Sequence, residues 1–361
     1  MSHVWFLDYK DCGNVLRGLE KLFETISSVV SRGDEVAIKL HMGELGNITY
    51  IRPVFVRKVV ELVKSLGGRP FVTDTTTIYP ENRFTAEKYL ETAAFNGFSE
   101  STLGAPIVIA DGDGYDGVSV KLDKRVRGCE IDSIEVASKI FNADAMIVLS
   151  HVKGHKLTGF GGAIKNLGMG CVTKRAKAIQ HSANKVVLDE LKCSGCGKCV
   201  EKCPFDALEM VNGIPKRDDK KCMNCSHCLF VCPENALSWP EGCSEKLQVN
   251  IAHAAYAVLK AFKEGKVGYL NFVQDVTPLC DCAAPAGRPL IPDVGILASL
   301  DPVAIDKASV DLVDRAGPLL IDEKIDPPDI LGKLNKVRSY TQLEVSEELG
   351  IGSLSYELVK V

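Results

Sequence analysis

Eight cysteines between positions 193 and 232 carry the densest chemistry in the chain. They form two runs, Cys193, Cys196, Cys199 and Cys203 before Pro204, and Cys222, Cys225, Cys228 and Cys232 before Pro233, the second starting 29 residues after the first. Three thiolates at three-residue intervals wrap one face of an iron–sulfur cubane, and the fourth lies too far along to join them. Four-cysteine zinc sites are built from two separated pairs, so the spacing points instead to two [4Fe-4S] clusters. Gly195 and Gly197 permit the tight backbone that turns amides toward sulfur, and each proline ends the wrap. Disulfide-dense scaffolds are short secreted chains, whereas this chain has 361 residues and opens Met1-Ser2-His3-Val4-Trp5, with no basic segment leading into an apolar one. The thiols are read as ligands and the location as cytoplasmic.

A second concentration runs from His151 to Asn166 and holds Lys153, His155, Lys156, Gly159, Gly161, Gly162 and Lys165. A glycine-rich turn entering a helix presents free amides to an anion, and the lysines add charge. The glycines complete neither the dinucleotide fingerprint nor a phosphate-binding Walker loop, because Ile164 stands where each needs glycine. His151 and His155 would share a metal only if the segment were helical, which Gly154 opposes; substrate binding, proton transfer and a structural role stay open. Lys39 and His41 alternate at a strand end and can point to one face, although water-exposed strand ends look the same. Asp74 precedes Thr75, Thr76 and Thr77, where turn chemistry competes with binding. Cys280-Asp281-Cys282 sets two thiols at alternate positions around a carboxylate, for reactive, metal-binding or redox use, unless they are small buried hydrophobes.

Positioning these residues requires a scaffold, and the apolar pattern predicts an α/β one. Strands are expected at 4–7, 35–40, 71–73, 107–110, 145–149, 268–272 and 295–298, and helices at 14–31, 54–66, 84–95, 133–141, 245–263 and 302–313. Strand–helix alternation implies a mostly parallel, doubly wound sheet, in one lobe or two. The rhythm breaks between Val186 and Pro240 and resumes at Cys243, so 186–240 is read as an inserted, α+β, ferredoxin-like domain between an α/β part at 1–185 and its continuation at 241–361. A net charge of −4 leaves no global basic field for nucleic acid or an anionic membrane, and no apolar stretch approaches a membrane span.

Both cysteine runs resemble those of bacterial two-cluster ferredoxins, in which the fourth cysteine of each run ligates the other cluster. That likeness implies one cluster on Cys193, Cys196, Cys199 and Cys232 and a second on Cys222, Cys225, Cys228 and Cys203. Over nearly its whole length the chain resembles the iron–sulfur proteins grouped as domain of unknown function 362, through Lys39-Leu40-His41-Met42-Gly43-Glu44, Asp74-Thr75-Thr76-Thr77-Ile78-Tyr79, the 151–170 segment, Cys280-Asp281-Cys282 and Asp301-Pro302-Val303-Ala304-Ile305-Asp306. This resemblance implies an α/β protein with a two-cluster insert and no particular activity. The run from Gly159 to Lys165 is similar to that of the nickel-pincer lactate racemases, which implies that His41, Asp74, His151 and Lys165 face one cleft. The favoured function is a ferredoxin-dependent oxidoreductase that takes electrons from a redox partner protein, a ferredoxin or reductase, and passes them to a small anionic substrate. His151, His155, Lys165, Cys280 and Cys282 are its candidate catalytic residues, and Lys39, His41, Asp74, Lys153, Gly159, Gly161 and Gly162 its candidate ligand contacts. The alternatives are a non-enzymatic electron carrier or redox-responsive binding protein, and an isomerase with structural clusters.

The crossed ligand sets are testable. Cys203→Ala should disturb the cluster held by Cys222, Cys225 and Cys228, as read by electron paramagnetic resonance of the anaerobic protein. Loss of the Cys193 cluster with the other intact would refute the crossing.

Overall fold

The computed structural model of the chain describes residues 1–316, 321 and 324–361. Its centre is one eight-stranded sheet in the order Tyr356–Lys360, Ser2–Asp8, Gly295–Ser299, Val267–Val273, Ala145–His151, Glu35–Lys39, Arg69–Asp74 and Ile107–Ile109. The two middle strands, Ala145–His151 and Val267–Val273, are buried along their whole length, as expected of parallel strands covered on both faces. Their side chains divide by parity: Met146, Val148 and Tyr269 belong to one hydrophobic core, and Ile147, Leu149 and Leu270 to the other.

The mostly parallel α/β architecture expected from the sequence is present, as one continuous sheet rather than two lobes. Strand Gly295–Ser299 departs from the parallel pattern and runs antiparallel to both of its neighbours. Parallel neighbours need a crossover, usually a helix. Residues 274–294 contain no helix, so the chain turns back beside the strand it has just left. That helix-free connection carries Cys280-Asp281-Cys282.

Two expected helices are corrected. Residues 133–141 split into strand Ser133–Ala137, paired with Gly117–Lys121, and the four-residue helix Ser138–Phe141; the alternation Ile134-Glu135-Val136 has the period of a strand. The helix begun by Asn14, which accepts from the Arg17 amide at 3.1 Å, ends at Glu24 rather than Ser31. It gives way where the β-branched and hydroxyl residues Thr25-Ile26-Ser27-Ser28 begin.

Within 186–240 the duplication seen in the cysteines is repeated by the backbone. Helices Lys198–Glu201 and His227–Phe230 occupy equivalent places. Left-handed backbone recurs at Gly195 and Asn224, at Gly197 and Ser226, and at Asp206 and Asn235, each pair 29 residues apart. The strand pair Val187–Leu188 with Leu237–Ser238 brings the two ends of the segment together.

Helix Ala163–Gly170 follows the glycine run, and its N-terminus is filled from within. Asp306 accepts from the Ala163 amide at 2.6 Å, the Ile164 amide at 2.9 Å and Asn271 Nδ2 at 2.8 Å. Any side chain at Gly162 would collide with that carboxylate. The first two amides of this helix are therefore closed to an external anion, because the protein's own carboxylate already satisfies them. Burial raises the Asp306 carboxyl to about 6. Asp306→Ala strands three buried donors, and at roughly 1–3 kcal/mol for each unsatisfied group, partly relieved by water, should cost about 2–4 kcal/mol in urea denaturation.

Candidate functional site

The four parallel strands Glu35–Lys39, Arg69–Asp74, Ala145–His151 and Val267–Val273 end on the same side of the sheet. After Glu35–Lys39 the chain builds outward to Arg69–Asp74 and Ile107–Ile109, then returns to lay Ala145–His151 on the opposite flank. Ligands of open α/β sheets bind at such a switch of direction, beyond the carboxyl ends of the strands. A cavity of about 530 Å³ lies there. Its wall includes Lys39, His41, Asp74, His151, Lys153, His155, Gly161, Gly162, Lys165, Cys280 and Cys282. Gly159 alone among the expected contacts is not in the wall: any Cβ there would meet Ser339. His41, Asp74, His151 and Lys165 do share one cleft, as the racemase likeness implied.

Much of this charge is matched internally. Lys39 Nζ lies 2.9 Å from Asp74 and 2.6 Å from Asn166 Oδ1, deep in the protein. Burial alone would push the Asp74 carboxyl up, but Lys39, His41 and the Tyr89 hydroxyl hold it below the usual carboxylate range. Arg83 pairs with Glu44 at 2.9 Å. Lys153 pairs with Asp281 at 2.9 Å, and the same carboxylate accepts from His151 Nδ1 at 2.8 Å. His151 Nε2 is 2.8 Å from the Gln274 carbonyl, so both of its ring nitrogens are engaged. Lys153, an expected ligand contact, thus carries an ion-pair partner within the wall, and His151, a candidate catalytic residue, is held at both ring nitrogens. His151 and His155 stand on strands Ala145–His151 and Lys153–His155, outside any helix that would pair them on a metal.

Lys165 is different. Among the described residues it has no ion-pair or hydrogen-bond partner, and with Lys153 it packs beside Gly161, where a Cβ would lie 3.2 Å from Lys165 Cδ. His155 faces the same space with Nδ1 accepting from the Leu157 and Thr158 amides at 3.3 and 3.2 Å, which leaves Nε2 to carry the proton. Burial and Lys165 hold its imidazole neutral, well below the usual histidine range. Lys177, lowered by burial to about 8, donates to Thr75 Oγ1 at 2.6 Å and to the Thr76 carbonyl.

The two thiols complete the wall. Cys280 and Cys282 stand near enough to act on each other's protonation. The Gly43 amide donates to His41 Nδ1 at 3.0 Å, which leaves the ring proton on Nε2, 3.4 Å from Cys282 Sγ. Cys280 beside it, the hydrogen bond from His41 and the Arg83 charge hold Cys282 well below the usual thiol range although burial opposes this. Cys280 is pushed up by the neighbouring Cys282 and by burial.

The eight clustered cysteines also take up a definite arrangement. Cys193, Cys196, Cys199 and Cys232 line one small cavity of about 20 Å³ with Gly195 and Gly197. Cys203 lies close enough to Cys225 and Cys228 to act on their charge. The first group therefore includes Cys232 from the second run, and left-handed residues between the cysteines turn the backbone around them; eight thiols so arranged are a donor set that two four-iron clusters would fit. Among the described residues, no three His, Cys, Asp or Glu side chains converge as they would on a single metal ion. His227 and Phe230, from the second run, line the larger cavity. Lys156 ties this segment to the glycine loop, lying 5.7 Å from the Phe230 ring and 5.3 Å from that of Trp239.

Arg83, Lys177, His181 and His227 are wall residues that sequence reasoning missed. His227 alone had a signal, its place between two ligand positions.

The family described as a domain of unknown function (DUF362) matches residues 36–311. No curated protein matches. Among solved structures, a protein from Thermotoga maritima is similar at 11% identity and a TM-score of 0.44, over 83% of this chain and 58% of that one. The chain thus spans less than two thirds of that relative. The lactate racemase apoprotein from Thermoanaerobacterium thermosaccharolyticum is similar at 11% identity and a TM-score of 0.39, over 100% of this chain and 83% of that one. No helix among the described residues is long and apolar enough to cross a membrane.

His181, driven down to about 4 by burial and then by Lys165 and Lys177, gives a pH test. The folded state refuses a proton that the unfolded chain takes near 6.5. Its contribution to stability is complete above that value and is lost as pH falls toward 4. Denaturant titrations between pH 7 and 4 should show the wild type losing stability faster than His181→Gln, by up to about 1.4 kcal/mol per pH unit inside that window.

Proposed function

Because the chain belongs to the DUF362 family, whose description states no activity, we propose from the geometry that it is an iron–sulfur oxidoreductase. It takes electrons from a redox partner, a ferredoxin or reductase, and reduces a small anionic substrate held in the large cavity. The observation that carries this reading is the shared wall: His227 and Phe230 of the second cysteine run stand in the same cavity as His155, Lys165 and Cys282. Cys193, Cys196, Cys199 and Cys232 would hold one [4Fe-4S] cluster, and Cys222, Cys225, Cys228 and Cys203 the other. When bound, the clusters would supply one-electron transfer, and the chain's own acid–base groups in the cavity the protons.

Charge accounting supports an anion. The pairs Lys39–Asp74, Arg83–Glu44 and Lys153–Asp281 cancel; Lys156, Lys165 and Lys177 have no carboxylate partner among the described residues, against Glu81 in the same wall, and the neutral His155 faces the same space as Lys165 as a donor. A carboxylate or phosphate accepts from both. A pure electron carrier has no use for a cavity of this size lined by these groups, so the reading as a docking surface has less support.

Lys165→Ala should weaken binding of small acids by about ten- to a hundredfold, the worth of one charged hydrogen bond, in anaerobic calorimetry. The clusters, judged by absorbance, should be unaffected. Unchanged affinity in both Lys165→Ala and His155→Ala would remove the anion site. A cluster-loaded protein that no small acid reoxidises would remove the oxidoreductase.

A further inference from the structure

Cys280 and Cys282 occupy a setting that cluster ligation leaves unexplained. They sit on the helix-free connection after strand Val267–Val273, both partly accessible from the cavity. His41 Nε2 stands 3.4 Å from Cys282 Sγ, and both cysteine side chains line the same cavity two residues apart, near enough to act on each other's protonation. Asp281 between them turns away, to His151 and Lys153, so the carboxylate is not offered to a metal beside the thiols. The backbone is held on both sides: the Glu44 amide donates to the Asp281 carbonyl at 2.9 Å and Asn47 Nδ2 to the Ala283 carbonyl at 2.8 Å.

We propose that Cys280 and Cys282 form a redox dithiol that reduces a small disulfide whose carboxylate is held by Lys165. The inference rests on the oxidoreductase reading only for the origin of the electrons. Cys282 thiolate attacks one sulfur of the substrate disulfide. The substrate S–S bond breaks, a mixed disulfide forms on Cys282, and the departing thiolate takes the proton from Cys280. The charge that kept Cys280 protonated has by then left Cys282, while Lys153 and Lys165, whose charges act on Cys280, favour its thiolate. Cys280 sulfur next attacks Cys282 Sγ, breaks the mixed disulfide and expels the second substrate thiolate. One thiol and one thiolate leave, and a Cys280–Cys282 disulfide remains. Two electrons from two equivalents of a low-potential one-electron donor, with one proton, restore the thiol and the thiolate. The pairing suits a chain that receives single electrons, because a dithiol stores two.

The test uses the full chain under anaerobic conditions with two probes of similar size, anionic 3,3′-dithiodipropionate and neutral hydroxyethyl disulfide, followed by peptide mass spectrometry. The wild type should release two thiols per chain and yield the Cys280–Cys282 disulfide. Cys280→Ser should release one and trap a mixed disulfide on Cys282; Cys282→Ser should do neither. Lys165→Ala should lose about tenfold in rate with the anionic probe and nothing with the neutral one. Equal modification of Cys282→Ser, or a Cys282 that stays unmodified while the exposed Cys196 reacts, would overturn the dithiol. The electrons are tested separately, by adding a low-potential donor to the oxidised protein and mapping the same peptide. Return of the dithiol supports both readings, whereas exchange without return overturns the electron source and leaves the thiol chemistry standing.

Discussion

Asp281 is a carboxylate with no solvent exposure, held between His151 and Lys153, and the placing of the two thiols depends on it. A buried charge without partners is expensive, and removing one partner of a buried pair costs several kcal/mol. The 274–294 connection, lacking a helix of its own, is therefore pinned where this carboxylate meets the ends of two neighbouring segments, strand Ala145–His151 and strand Lys153–His155. With Asp281 fixed on one side, Cys280 and Cys282 are left to the other. The antiparallel return of strand Gly295–Ser299 belongs to the same arrangement, since a crossover helix would have carried the chain away from the cavity.

The buried pairs around the cavity repeat this logic. Ion pairs in protein interiors recover roughly what their desolvation costs, so Lys39–Asp74, Arg83–Glu44 and Lys153–Asp281 contribute geometry more than stability. Lys39 shows what that geometry does. It is buried at the end of strand Glu35–Lys39 and joins Asp74 on the next strand to Asn166 on the helix above, while Asn166 Nδ2 donates to the Leu149 carbonyl at 2.9 Å. One ammonium thus locks two strand ends and the helix that presents Lys165. Stability comes instead from the two apolar layers that flank the sheet.

What could be read from the sequence follows from the range of the forces involved. Strands such as Ala145–His151 and the cysteine runs are local patterns, visible in a window of ten residues. The convergence of Lys39, Asp74, His151 and Cys280 was legible too, because each ends or follows an apolar run, and parallel strands bring such ends together. Arg83, Lys177 and His181 had no comparable signal: a polar residue on an irregular stretch or short helix looks solvated until the tertiary fold turns it inward. The glycine run misled for a related reason. Gly161 and Gly162 are required by Lys165 and Asp306 packing against them, and a carboxylate more than 140 residues away in sequence had already taken the amides that a phosphate would want. The C-terminal edge strand Tyr356–Lys360 was missed because an edge strand is only half buried, which blurs its alternation.

The duplication in 186–240 shows where the cavity breaks an otherwise regular device. Backbone conformation repeats at 29-residue spacing down to the left-handed residues, although glycine at 195 and 197 becomes Asn224 and Ser226, so the wrap around the thiols is conserved in geometry rather than in residue type. The side chains diverge where the two halves face different surroundings. Lys198 and Glu201 of the first short helix are exposed charges away from the cavity, while their counterparts are the half-buried His227 and the exposed ring of Phe230, both at its wall. The first run leaves Cys196 at the surface and the second buries Cys225. A repeat needed only to hold two equivalent groups has no reason to differ at these positions. On the proposed function this asymmetry suits a path with an outer and an inner end, the inner one being the run whose His227 and Phe230 share a cavity with Lys165, His155 and the two thiols.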